Sequence, residues 1–63
     1  MTPNQIIQYF QNNSQSRYNN ITHDSLSYDD VVFLNSVKRQ VRTGLSQAQI
    51  ARLKAIYENF LVQ

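Results

Sequence analysis

Leu45-Ser46-Gln47-Ala48-Gln49-Ile50 runs apolar, serine, two helix formers, an amide three residues after the serine, then apolar again. Leu26-Ser27-Tyr28-Asp29-Asp30-Val31 repeats the pattern 19 residues earlier, with the carboxylate of Asp30 in place of the amide three residues after the serine. Each copy predicts a helix start that combines a capping box with a hydrophobic staple. The serine hydroxyl accepts an orphan N–H of the first turn. Asp30 or Gln49 reaches back to the N–H of the serine, and Leu26 closes on Val31 as Leu45 does on Ile50. Two such starts define two helices, and the chain between them decides how they pair.

The first of these helices is expected over residues 28–42. Val31, Leu34, Val37 and Val41 recur every three or four residues as its core stripe, with Tyr28 and Phe33 beside it. Asp29 and Asp30 favour its positive N-terminal end, and Arg39 and Arg42 its negative C-terminal end. Thr43-Gly44 ends it, glycine supplying a positive φ. The second helix is expected over 47–61. Ile50, Leu53, Tyr57 and Phe60 form its stripe, widened by Ile56 and Leu61. Ala48, Ala51 and Ala55 form a strip of small residues suited to the close approach of another helix. About four residues separate the two helices, which predicts an antiparallel αα-hairpin with the stripes facing.

Outward from the hairpin, Thr2 followed by Pro3 predicts a capped helix over 3–12 bearing Ile6, Ile7 and Phe10. Asn12-Asn13 would end it in a left-handed turn. Residues 12–20 have loop chemistry, with Tyr18 either a lid over the core or a stacking residue. Asn20 is a candidate cap for a short fourth helix over 20–24. The expected fold is therefore all-α, a small three- or four-helix bundle in one domain over residues 1–63, built on the helical hairpin.

Composition agrees with that class and limits the chemistry. The chain has 63 residues, 41% of them hydrophobic, with one glycine, one proline and no cysteine. A domain this short buries only about 60% of the surface of its unfolded chain, so its margin of stability is small and folding on a partner is an option. Without cysteine there is neither a disulfide nor a thiolate metal site. No apolar run approaches the ~20 residues of a membrane span. The expectation is a soluble cytoplasmic protein with no membrane, metal or cofactor.

No residue pattern announces a reaction. Thr22-His23-Asp24-Ser25 are sequence neighbours, whereas catalytic triads converge across a fold. They read as a capped turn before the next helix. Asp29 and Asp30 point about 100° apart on a helix and do not converge. There is no Gly-rich phosphate loop. A non-enzyme is expected, with no catalytic residues.

Charge is the distinctive feature. Lys38, Arg39, Arg42, Arg52 and Lys54 lie within 38–54 with no acid among them, in a chain of net charge +2. Lys38 and Arg42 are one helical turn apart. In an antiparallel hairpin the end of one helix lies beside the start of the next, so all five charges are expected to gather around Gly44. The N-terminal N–H groups of the second helix also point there. Such a stripe suits a nucleic-acid or acidic-protein partner. Solvated helix faces are charged in any case, and basic residues also favour a helix C-terminus. Four or five phosphate contacts imply weak, salt-sensitive binding without sequence preference. The helices look too long and too hairpin-like for a helix-turn-helix.

Phe33-Leu34-Asn35-Ser36-Val37-Lys38-Arg39-Gln40-Val41, the glycine turn, Leu45-Ser46-Gln47-Ala48-Gln49 and Leu53-Lys54-Ala55-Ile56-Tyr57 together resemble a module of phage replication and recombination proteins. Its outline is F-x-x-S-[IV]-x-x-Q-[VLI], a turn, then L-S-x-x-Q-x-x-x-L-x-x-I-Y. The resemblance covers about residues 31–60. It is similar to the small companion proteins of the UvsW recombination helicase of T-even phages and to the HRDC module of RecQ-type helicases. Ser36 and Gln40 are its informative positions. Ser36 is expected to cap or contact the hairpin partner, and Gln40 to bond across the turn. The resemblance implies an accessory domain that helps a helicase engage single-stranded or branched DNA in recombination or repair, inside an infected bacterial host.

The residues and the resemblance together lead to the expectation of a non-catalytic nucleic-acid-binding accessory protein. The alternative is an adaptor that docks on a larger enzyme through its exposed tyrosines and Phe60-Leu61-Val62, without touching nucleic acid itself.

Overall fold

A computed structural model describes residues 1–62 and contains three helices: α1 (Pro3–Asn12), α2 (Tyr28–Gln40) and α3 (Gln47–Leu61). The all-α bundle expected from the sequence is the fold.

The doubled start motif is realised in full only in its second copy. At α3 the Ser46 hydroxyl accepts the Gln49 N–H at 3.2 Å, and Gln49 Oε1 accepts the Ser46 N–H at 2.8 Å. At α2 the Ser27 hydroxyl accepts the Asp30 N–H at 3.2 Å, but the Asp30 carboxylate does not reach back. Aspartate is one methylene shorter than the glutamate or glutamine the box uses. Its oxygen lies instead 4.0 Å from Arg52 of α3. The other complete box is at α1, where Thr2 and Gln5 exchange both bonds at 2.8 and 3.2 Å. Leu26 and Leu45 pack half-buried against the core, as staple residues should.

The helix ends differ from expectation in instructive ways. Asn13 is not left-handed; at φ −103° its backbone N–H and its Nδ2 both donate to the Tyr9 carbonyl, at 3.1 and 2.8 Å, and the Ser14 N–H donates to the Gln11 carbonyl, so the helix end is satisfied without a left-handed residue. Helix α2 ends at Gln40, two residues before the expected Arg42, because three donors converge on the Gln40 carbonyl: the N–H groups of Thr43 and Gly44 and the Thr43 hydroxyl. Gly44 takes the positive φ, 104°, as expected.

The short fourth helix over 20–24 does not form. Its backbone groups are engaged elsewhere. Asn35 of α2 accepts the Ile21 N–H at 2.8 Å and donates to the Ile21 carbonyl at 2.9 Å. The Ser14 hydroxyl accepts the Thr22 N–H, and the Gln15 N–H donates to the Thr22 carbonyl at 2.9 Å. Ser14 also accepts the Ser16 N–H and donates to the Asn20 carbonyl. The segment is an irregular loop stitched by hydroxyls and one amide, the alternative that serine and asparagine offer to a helical ladder.

The core comprises Ile6, Ile7 and Phe10 of α1, Ile21 of the loop, Leu34 and Val37 of α2, and Leu53 and Ile56 of α3. Partners along α2 and α3 run in opposite order, Gln40 with Gln49 near the turn and Phe33 with Arg52 further away, as in an antiparallel hairpin. Against α3, α1 packs an aromatic cluster: Tyr9 meets Tyr57 and Phe10 meets Phe60, both edge-to-face at 5.2 Å. Such pairs add about 0.5–1.5 kcal/mol each beyond the area they bury. Phe60 belongs to this cluster, while Leu61 and Val62 are exposed. Ala48, Ala51 and Ala55 are exposed, so this strip of small residues is not buried in the bundle. Tyr28 and Tyr18 are 81% and 77% exposed, so Tyr18 is not a lid over the core.

Candidate nucleic-acid interface

The core stripe of α1 leaves Asn4, Gln8 and Gln11 on a neighbouring stripe, spaced four and three residues apart. That stripe faces the C-terminal end of α2. Lys38 and Arg42, one turn apart, close the other side, and Asn19 of the loop reaches the same groove. Ile7 and Val41 supply its apolar floor. The groove has a volume of about 450 Å³, and among the described residues no carboxylate lines it. Lys38 is half-buried and Arg42 exposed. Gln11 lines the groove, but its Oε1 is buried away from solvent and has no hydrogen-bond partner among the described residues.

The remaining basic residues are dispersed, contrary to the expectation that all five gather around Gly44. Arg39 lines a different groove, with Ser16 and Asn20 of the loop and with Val32 and Asn35. Arg52 lies over the Phe33 ring, 4.4 Å from its centroid, and 4.0 Å from Asp30. It lines a third groove with Tyr28, Val32 and Ser36. Lys54 sits between α1 and α3, in a cleft with Met1, Ile6, Tyr57 and Glu58. The reason lies in position around the helix axis rather than along it. Residues one apart on a helix diverge by about 100° and residues two apart by about 200°. Thus Arg39 leaves the face of Lys38, and Lys54 leaves that of Arg52.

The start of α3 is also less available than its dipole suggests, because the Ser46–Gln49 box closes on its own N–H groups. The second oxygen-bearing group of that corner is Gln40, whose Oε1 accepts from Gln49 Nε2 at 2.8 Å across the turn, as the sequence pattern implies. Ser36 shares the groove of Arg52 and so faces the hairpin partner.

Of the residues weighed for reaction chemistry, His23 makes contacts within the fold. His23 Nδ1 accepts the Ser25 N–H at 3.0 Å, and its carbonyl accepts the Leu26 N–H, which makes the turn before α2. Its ring packs edge-to-face on Phe60 at 4.9 Å. Among the described residues, no three His, Cys, Asp or Glu side chains are grouped to hold a metal ion. Among them too, no helix is long and apolar enough to cross a membrane.

Sequence reasoning misses the amide side of the groove. Its signal is Asn4, Gln8 and Gln11 at helical spacing. Uncharged amides on a short helix look like solvated surface until the packing of α1 on α2 is known. No family model, no curated protein and no solved structure matches this chain.

Proposed function

We propose that this protein is a non-catalytic nucleic-acid-binding accessory protein that holds single-stranded or branched DNA through its phosphates. The observation that carries the reading is the groove between α1 and α2, which Lys38 and Arg42 both line and which, among the described residues, no carboxylate lines. Arg39 lines a separate groove on another face of α2 and adds only a more distant positive charge. Lys54 and Arg52 contribute less, since Arg52 is engaged by Asp30 and Phe33. The resemblance of residues 31–60 to companions of recombination helicases supports a role beside a helicase in phage recombination, repair or replication, in the cytoplasm of the infected cell.

The test is an amide-shift titration of labelled protein with single-stranded and forked DNA at two salt concentrations. Shifts at Lys38, Arg39, Arg42 and the facing residues of α1, fading as salt rises, are expected. Absence of shifts with either DNA at millimolar protein overturns the reading. The adaptor reading then takes its place. It is favoured by one surface, where exposed Tyr28 and Val32 adjoin Phe33.

A further inference from the structure

We propose that the outward face of α2 is a docking surface for a second copy of this chain, on which two α2 helices lie antiparallel about a two-fold axis. The juxtaposition that carries it is an exposed apolar pair, Tyr28 and Val32, on a face that bears Asp29 toward one end and Arg39 toward the other. This face shares no residue with the groove of Lys38 and Arg42, and the inference does not depend on the nucleic-acid reading.

Helical geometry puts these residues on one stripe. Val32 follows Tyr28 by one turn and Arg39 follows Val32 by two, so at about 100° per residue the three lie within about 40° of one another. Tyr28 is almost fully exposed and Val32 is 47% exposed. Val32 lines both grooves that flank the stripe, one with Asn35 and Arg39, the other with Tyr28, Asp29 and Ser36, and so forms the ridge between them. The helix dipole accounts for an acid in the first turn and a base in the last. It does not account for two exposed apolar side chains one turn apart. Scattered single apolar residues are ordinary surface, whereas this pair adjoins half-buried Phe33 in one groove.

Charge selects the occupant. Asp29 and Arg39 are about 15 Å apart along α2, at about 1.5 Å per residue. Among the described residues neither belongs to an ion pair, since the contact of Arg52 with Asp30 uses other groups. An antiparallel copy, related by a two-fold axis level with Leu34, brings each Asp29 beside the partner's Arg39, so that both pairs form at once. The same register sets Val32 level with the partner's Ser36. It sets Tyr28 one residue from the level of the partner's Arg39, within reach of a cation–π contact. A parallel copy would oppose Asp29 to Asp29 and Arg39 to Arg39, which like-charge repulsion disfavours. A face one helix wide buries less than the about 1,200 Å² of a standard interface, so the dimer is weak and forms at high chain concentration.

The experiment follows translational diffusion of the full chain by NMR from micromolar to millimolar concentration. Wild type is expected to slow as its concentration rises. Asp29→Arg and Arg39→Asp should each weaken self-association at least about tenfold, because each turns two attractive pairs into two repulsive ones. The variant carrying both changes restores the complementarity and should associate like wild type. Amide spectra establish that each variant keeps the fold. A mixture of labelled and unlabelled wild type reports the contact without mutation, through intermolecular NOEs between the Tyr28 ring and the Arg39 side chain. A chain that stays monomeric at millimolar concentration overturns the inference and leaves this surface to a different protein. A dimer that the folded single variants do not weaken, or a folded double variant that stays monomeric, overturns it as well. Where a variant loses the fold, the wild-type NOEs decide: contacts of Tyr28 with Arg39 support the inference, and their absence from the dimer overturns it. None of these outcomes bears on the phosphate groove.

Discussion

Asn35 clasps the backbone of Ile21, accepting its N–H at 2.8 Å and donating to its carbonyl at 2.9 Å. The same amide nitrogen donates to the Val31 carbonyl at 2.8 Å within α2. Ile21 is a core residue with no regular secondary structure around it, so its backbone groups need a partner from another element. Asn35 provides that partner and so seats the loop against the core. Replacing Asn35 by Leu keeps the branched shape of the side chain and leaves both Ile21 groups unsatisfied. The expected loss is about 2–6 kcal/mol, at about 1–3 kcal/mol for each of the two orphaned groups. Urea unfolding measures it, and hydrogen exchange at the Ile21 amide should accelerate with it.

Gly44 gives the opposite kind of test, of backbone alone. A Cβ built on it meets nothing within 4 Å, so Gly44→Ala creates no clash. The cost comes only from φ at 104°, and is expected at about 1–2 kcal/mol. Gly44→Asn should cost less, since asparagine tolerates positive φ better. Equal, negligible losses for both variants in thermal unfolding would mean that the turn relaxes to negative φ.

These two positions mark what is legible in the sequence. Gly44, the three helices and the residues Leu34, Val37, Leu53 and Ile56 follow from local rules: spacing, caps and a turn that demands one residue type. Asn35 sits in the middle of α2, where its type looks merely neutral, and its partner lies 14 residues away. Local pattern holds no information about that pairing. The candidate site divides in the same way. Lys38 and Arg42 are readable as a one-turn pair, but only the packing of α1 on α2 brings Gln8 and Gln11 opposite them.

The amide of Gln49 couples the cap of α3 to the hairpin, accepting from Ser46 and donating to Gln40, each at 2.8 Å. Ser46→Ala removes the side-chain half of the cap and should cost about 1 kcal/mol. Gln49→Ala removes the back-reaching bond and the bridge to Gln40 together. A double-mutant cycle of Gln40→Ala with Gln49→Ala should give a small coupling, about 0.5 kcal/mol, because the bridge is solvent-exposed. The basic residues do not converge on this turn. Ser46→Ala should therefore lower stability without changing the DNA affinity of the folded chain.

Salt dependence distinguishes the groove cations from the other basic residues. Removing one cation that neutralises a phosphate should reduce the slope of log K against log salt by about 0.7 for a single strand. Lys38→Gln with Arg42→Gln should thus flatten the slope by about 1.4 and weaken binding most at low salt. Glutamine retains part of each side-chain stem, which protects the packing of half-buried Lys38. Arg52 has a different role. Its guanidinium stacks on Phe33 while its side chain stays 51% exposed, and its ion pair with Asp30 is long. Such a pair adds little, and the stacking about 0.5–1 kcal/mol. Arg52→Gln should therefore lower the unfolding free energy by roughly that amount and leave the salt slope unchanged. If Arg52→Gln flattens the slope as much as the groove variants do, DNA lies across the α2–α3 face, and the groove between α1 and α2 is not its main seat.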